Sequence, residues 1–346
     1  MQALTAIDQL ARPQKLYQPL TQEQQDLFTQ AMQQADVWHK ARNANYAKLW
    51  VGEQRPSIPV GLFKKLDLAT SVEQEGQWLS SSGTGKTGAT EVFFDKGSMQ
   101  RITQGMLALF IENGFYSSQP ARFLLLSPNP QLGDFPGYAT AFLKFTAAAP
   151  NKALVFAVNP EAVFDAELAI KTLTTWAQEP EPIFIFGLTV FFEQLALALP
   201  QPIEFKQPIK GITGGGWKGL TKTMERGQIL QRLAQNLQTP MLDIRDMYGM
   251  TEHPLHYLSC PLGHFHQPVY SRFFVQGANQ QELEAGEQGL IRLQNPFFAS
   301  IPAHDIVTED LGCLGEHCGC GNTQPYLKFL GRATTNEGIC AQEALA

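Results

Sequence analysis

Two groups of residues have types and spacings that could do chemistry. The first is a set of thiols and imidazoles: "CPLGHFH" carries Cys260, His264 and His266, and "CLGEHCGCG" carries Cys313, Cys318 and Cys320. Thiolates and imidazoles are the ligands of tetrahedral Zn2+, and two such pairs about fifty residues apart can converge on one ion. Buried free cysteines seldom collect beside histidines and glycines, so zinc is the favoured reading over reduced thiols. The expected ligands are Cys260, His266, Cys318 and Cys320, with His264 and Cys313 in reserve. The expected role is structural, pinning a β-rich segment to the nucleotide domain.

The second group is "WLSSSGTGKTGATE", which ends a hydroxyl and glycine run in Gly-Lys-Thr. A phosphate-binding loop of the G-x-x-x-x-G-K-[ST] type needs glycine five places before Gly85 and an apolar strand leading in. Position 80 is serine and the preceding "SVEQEGQW" is polar, so both requirements fail. What remains, Ser81, Ser82, Gly83, Thr84, Gly85 and Lys86, can still wrap an anion with backbone N–H groups, hydroxyls and one ammonium. The same composition also describes a Gly/Ser linker. Gly214, Gly215 and Gly216, directly after an apolar run, permit close approach to a flat ligand such as a purine ring, or form a tight turn.

The elements that must position these residues follow from periodicity. The Gln-rich stretch 21–50 reads as a long helix, and "SMQRITQGMLALFIENGF" as another. Short apolar runs, "ARFLLLS", "KALVFAV", "PIFIFGL" and "PIKGITGGG", then alternate with helical stretches. That rhythm predicts an α/β fold with mostly parallel sheet flanked by helices, whose ligands sit at the carboxyl ends of the strands. Beyond residue 267, "VYSRFFVQ" and "GLIRLQN" are strands without helices, a smaller β-rich subdomain. The expected organisation is a helical segment over 1–60, an α/β nucleotide- and acyl-binding core over 61–266, the β-rich subdomain with the Cys/His cluster over 267–332, and a tail over 333–346.

Composition excludes some classes of partner. A chain of 346 residues, 44% apolar, with a net charge of −6 and no dense basic stripe, is not built to neutralise nucleic-acid phosphates. No stretch approaches a membrane span and the N-terminus lacks an apolar leader, so a cytoplasmic protein with a small-molecule or protein partner is expected.

Five short motifs recur in one order: Ser81 to Thr84, Tyr248-Gly249-Met250-Thr251-Glu252, Gly286 to Gly289, Thr308 to Gly312, and Gly331-Arg332. In that order they resemble the core motifs of the adenylate-forming enzymes. With "GGGWK" at 214–218, the chain most resembles the acyl-protein synthetase (LuxE-type) branch, related to phenylacetate-CoA ligase. The resemblance spans roughly residues 75–340 and implies the large domain of that fold, with its C-terminal small domain absent or vestigial.

It also implies a site for ATP and Mg2+. The Ser81 to Lys86 loop would grip the triphosphate, Gly214, Gly215, Gly216, Tyr248 and Gly249 the adenine, Thr251 the α-phosphate, Glu252 the Mg2+, and Asp310 the ribose hydroxyls, with Arg332 near ribose or phosphate. The family's catalytic lysine lies in the small domain; Lys218, or Lys222, is the substitute candidate, each equally at home as a solvated lysine at a helix start. The family passes its acyl group to a cysteine near the C-terminus, where Cys340 stands. The implied function is activation of a carboxylic acid, of the fatty type, as an acyl-adenylate, with transfer to a cysteine thioester that feeds an acyl reductase or an acyl carrier protein. A minimal acyl-CoA ligase and a non-catalytic nucleotide-binding scaffold are the alternatives. The phenylalanine-rich "YATAFLKF" fits an acyl tunnel and an ordinary core alike.

Overall fold

The computed structural model describes residues 4–70, 75–80, 90–133, 135, 137–216 and 222–333. Two compact units divide the chain: residues 1–79, 90–112 and 249–346 form the first, and 80–89 with 113–248 the second.

The first unit opens with α1 (Thr5–Leu10) and α2 (Gln22–Arg42). Thr21 caps α2 reciprocally with Gln24, the hydroxyl accepting from the Gln24 N–H while the Gln24 side chain accepts from the Thr21 N–H. Phe28, Ala31, Met32, Ala35 and His39 recur at helical spacing and form the buried stripe. The helix expected over 21–50 breaks at Asn43, whose backbone turns extended and whose side chain accepts from the Tyr46 N–H at 2.8 Å to start α3 (Ala44–Lys48). An asparagine favours this because its side chain competes for backbone partners. After β1 (Ile58–Pro59), β2 (Gly76–Ser80) and β3 (Glu91–Asp95) pair in a two-stranded sheet, and α4 (Lys96–Glu112) follows.

The second unit alternates strands and helices: β4 (Ala121–Leu126), α5 (Gly137–Phe145), β5 (Asn151–Phe156), α6 (Ala166–Trp176), β6 (Ile183–Leu188), α7 (Thr189–Ala198), β7 (Ile203–Glu204), β8 (Ile209–Gly214), α8 (Arg226–Asn236), β9 (Leu237–Gln238) and β10 (Leu242–Met250). Strands β5, β4, β6, β8 and β10 lie side by side in that order and all pair in parallel. Every residue of β6 is buried, as its unbroken apolar sequence demands of a strand covered on both faces. The α/β rhythm read from the sequence is the rhythm of this sheet.

Within β10 the chain passes back to the first unit, which continues with β11 (His253–Leu258), β12 (Phe265–His266), β13 (Arg272–Gln276), β14 (Gln288–Gln294), β15 (Asp305–Gly315) and β16 (Tyr326–Arg332). Strands β12 to β16 build an antiparallel sheet in the order β12-β16-β15-β14-β13, with β1 added in parallel along β15. Strands β13 to β16 lie beyond residue 267, where strands without helices are expected, and the sheet adds to them β12 and β1 from earlier in the chain.

Candidate metal centre and nucleotide motifs

Two turns deliver the Cys/His cluster. After β11, the Cys260 carbonyl accepts from the Gly263 N–H at 2.9 Å and the Cys260 N–H donates to the His264 carbonyl at 2.7 Å. After β15, the Cys318 carbonyl accepts from the Gly321 N–H at 3.4 Å. Each turn closes on a glycine with positive φ, +81° at Gly263 and +90° at Gly321, a conformation that residues with a Cβ avoid. The β12–β16 pairing, with His266 opposite Tyr326, sets the turns beside each other.

The ligand atoms of Cys260, His266, Cys318 and Cys320 lie within 4.8 Å of one another. The Cys260 and Cys318 sulfurs are 3.8 Å apart. A tetrahedron with metal–sulfur bonds of about 2.3 Å has edges of about 3.8 Å, so this spacing suits a shared ion. His266 Nδ1 lies 3.0 Å from the Gln324 carbonyl, which can only accept, so Nδ1 holds the proton and Nε2 offers its lone pair, 3.2 Å from the Cys320 sulfur. Such a second hydrogen bond is how metal-binding imidazoles are oriented. Burial, with hydrogen bonds to the neighbouring thiols adding to it, pushes the Cys318 thiol up to about 12. A divalent cation supplies the charge that would favour the thiolate instead. All four residues belong to the first unit, so the cluster joins strand ends within that unit and does not pin the β-rich segment to the α/β unit as expected.

Of the reserves, Cys313 sits within β15 opposite Lys328 and is not one of the four clustered ligands. His264 directs Nδ1 at the Cys318 sulfur, 3.2 Å away, and stacks flat on Tyr326. Burial, then the neighbouring His266 and Lys328, lower its pKa. Gln324 and Tyr326 carry no sequence signal of their own; only the sheet pairing brings them to the cluster.

The nucleotide motifs fall on strand ends and turns. Gly214 ends β8 with Gly215 and Gly216 directly after it, and Tyr248, buried, lies near the end of β10; the register pairs Gly214 with Met247, so these residues share the carboxyl end of the parallel sheet. Gly249 continues β10 against the His256 ring, and Thr251 and Glu252 form the turn into β11, with Glu252 buried. Next to Glu252, His253 is held by a run of buried hydrogen bonds: Nδ1 at 3.3 Å from the Ala303 carbonyl, Nε2 at 2.9 Å from the Tyr257 hydroxyl, and that hydroxyl at 3.0 Å from Ser271 Oγ.

Asp310, buried, faces Arg332 across β15 and β16, with 3.9 Å between Oδ1 and Nη1, while Arg332 also pairs with Glu309. Lys222 forms a surface ion pair with Glu225 at 2.6 Å. Ser81, Ser82, Gly83, Thr84, Gly85, Lys86, Lys218 and Cys340 lie outside the described residues. Among the described residues, no helix is long and apolar enough to cross a membrane.

Comparison with known proteins agrees with this architecture. The model of the family "Acyl-protein synthetase, LuxE" matches residues 32–345. No curated protein sequence matches the chain. A 2-hydroxyisobutyryl-CoA ligase solved in an open conformation with 2-HIB-AMP and CoA superposes with a TM-score of 0.68 at 14% identity, covering 92% of this chain and 77% of that one. The same kind of ligase in the postadenylation state with 2-HIB-AMP gives a TM-score of 0.69 at 14% identity, over 92% and 70% of the two chains. A long-chain-fatty-acid-CoA ligase from Archaeoglobus fulgidus gives 0.51 at 15% identity, over 74% and 51%. With a family match over most of its length and a fold shared with these ligases, the chain belongs to the acyl-protein synthetase, LuxE, family.

Proposed function

We propose that the protein activates a carboxylic acid with ATP and passes the acyl group to its own Cys340. The acid's oxygen attacks the α-phosphorus, the bond to pyrophosphate breaks, and an acyl-adenylate forms. The Cys340 sulfur then attacks the acyl carbon, AMP leaves and the thiol proton goes to solvent. A thiolate suits this step because sulfur is strongly nucleophilic and the phosphoryl group leaves easily. A thioester made this way serves an acyl reductase or an acyl carrier protein, and a fatty acid is the substrate class.

The observation that carries the reading is the β8–β10 register, which sets the glycine triplet and Tyr248 together at the sheet end where such folds bind ligands. Gly214, Gly215, Gly216, Tyr248 and Gly249 take the adenine, Asp310 and Arg332 the ribose side, Thr251 the α-phosphate, and Ser81 to Lys86 the triphosphate. Glu252 would hold Mg2+, which offsets charge on the phosphate oxygens; Lys218 is the lysine candidate for the same end. Fixed donors aimed at developing charge do most of such catalysis.

The test is ATP–pyrophosphate exchange over a panel of fatty and aryl acids, followed by intact mass and hydroxylamine treatment. Exchange with a hydroxylamine-labile adduct that Cys340→Ser abolishes supports the proposal. Exchange without an adduct, and acyl transfer to added coenzyme A, would mark an acyl-CoA ligase; no exchange with any acid would mark a nucleotide-binding scaffold.

The Cys260, His266, Cys318 and Cys320 cluster we assign to one structural Zn2+. Its ligands stand beyond the ends of β11 and β15, strands that follow Glu252 and carry Asp310. An ion there would hold the turn that follows β11 against the turn that follows β15. Elemental analysis of protein purified without a metal-binding tag should find about one zinc per chain.

A further inference from the structure

His264 lies beside the cluster, and three observations fix its place. Its Nδ1 is 3.2 Å from the Cys318 sulfur. Its ring lies almost parallel on Tyr326, at 15° with centroids 4.2 Å apart. Tyr326 in turn pairs across the sheet with Gly315, where an added Cβ would stand 2.3 Å from the Tyr326 ring carbon Cζ. The missing side chain at position 315 therefore leaves the space into which Tyr326 fits, and Tyr326 supports His264 on one face. The same tyrosine meets His266 edge-on, at 62° with centroids 5.8 Å apart.

The donor set explains what such a histidine does. Three thiolates and one imidazole around a divalent cation leave a net negative charge, which N–H donors to the sulfurs offset. Cys320 has one such donor, the Asn322 backbone N–H at 3.4 Å. The Cys318 sulfur takes a backbone hydrogen bond from Cys320, and His264 is the side chain that adds a nitrogen to it, at 3.2 Å. A thiolate only accepts, so the Nδ1 that faces it carries the proton.

We infer that His264 is a positioning residue for the metal: it donates from Nδ1 to the Cys318 thiolate, is held there by Tyr326 over Gly315, and sets how tightly the ion is kept without binding it. The inference rests on the zinc reading above and adds to it a residue whose loss leaves all four ligands in place. Partners of this kind typically change metal affinity by about 10–100-fold.

The test uses the full chain reconstituted with Co2+ and then competed with Zn2+ against a chromophoric chelator. Wild type should show thiolate-to-cobalt charge transfer and the visible bands of a tetrahedral site. His264→Phe keeps a flat ring on Tyr326 but has no donor; it should keep the tetrahedral spectrum while metal affinity falls about 10–100-fold. His264→Asn places an amide N–H at the reach of Nδ1 and should recover much of that loss. Gly315→Ala leaves the donor but displaces Tyr326, and should lower affinity with His264 intact. Unchanged affinity in His264→Phe would overturn the inference, as would loss of the tetrahedral spectrum in that variant, because His264 would then be a ligand. A wild-type protein that binds neither Co2+ nor Zn2+ overturns the metal reading itself.

Discussion

The parallel and antiparallel sheets are held by different means. In the parallel sheet, β6 is buried at every residue with no charged side chain, and Phe123, Phe184 and Phe186 pack ring on ring around it. In the antiparallel sheet, β15 begins at Asp305, a fully buried carboxylate that accepts from Arg292 Nε at 2.7 Å and Nη2 at 2.7 Å and from the Gln294 amide at 2.6 Å. Beside it, His304 Nε2 lies 2.9 Å from Asp36, which also takes two groups of Arg55. The parallel strand β6 depends on apolar area removed from water alone, whereas the antiparallel sheet adds to its buried apolar residues, such as Ile291, Leu293 and Ile306, charges that must each meet a partner. The first tolerates rearrangement among hydrophobes of like volume; the second fails when one member is removed.

The comparison can be broken most severely at the metal cluster. Stripping the zinc, or Cys318→Ser with Cys320→Ser, should accelerate hydrogen exchange over residues 253–266 and 305–332, while β4, β6 and β8 keep their slow exchange. Equal loss in both regions would show that the cluster does not act locally. Next in size is Phe186→Ala in the parallel sheet, where a fully buried ring is lost; urea unfolding should report about 3–5 kcal/mol.

Asp36→Ala should cost about 3 kcal/mol, because it leaves Arg55 and His304 without their carboxylate. Removing Arg55 as well should cost less than the two single changes together, measured as a double-mutant cycle. The same groups set the response to acid. Burial raises the Asp36 pKa, but hydrogen bonds from His304 and Arg55 and their charges outweigh it and hold the group at about 2. Burial holds His256 at about 4, and burial with the neighbouring His304 holds His39 well below its usual value. All three are lower in the folded state, so their stabilisation is present above the unfolded values and is lost as pH falls. The melting temperature should drop first below about 6.5, as the histidines titrate, and again from about 3.9 toward about 2 for Asp36. A melting temperature flat from pH 7.5 to 4.5 would contradict the buried, neutral histidines. The smallest effect is expected from Lys222→Ala: its ion pair with Glu225 is on the surface, so stability should change by less than about 0.5 kcal/mol.

How much could be read in advance divides along the same line. Strands β4, β5, β6 and β8 are continuous apolar runs between helical stretches, so their type follows from periodicity; β10, which carries Asp243, Arg245 and Asp246, has no such run, and only its pairing with β8 shows it as part of the parallel sheet. The long N-terminal helix was legible except for its break, because Asn43 interrupts it through a side-chain hydrogen bond that periodicity does not register. The Cys/His residues were visible as ligand types at workable spacings. That Cys260 and His266 share a unit with Cys318 and Cys320 was not visible, since that unit is assembled from three separate stretches of chain. His264 shows the limit most clearly: by residue type it equals His266 as a ligand, and only the flat stack on Tyr326 and the Cys318 contact separate their places.

The sequence by itself determined the α/β class, the family and the types of residue available for chemistry, because these depend on local period, motif order and side-chain identity. The tertiary structure decided which histidine faces the sulfurs with a free lone pair. It also decided which carboxylates are buried against arginine and which glycine turns end beside each other. Those outcomes depend on strand register, and register is set by the summed burial and hydrogen bonding of residues far apart in the chain.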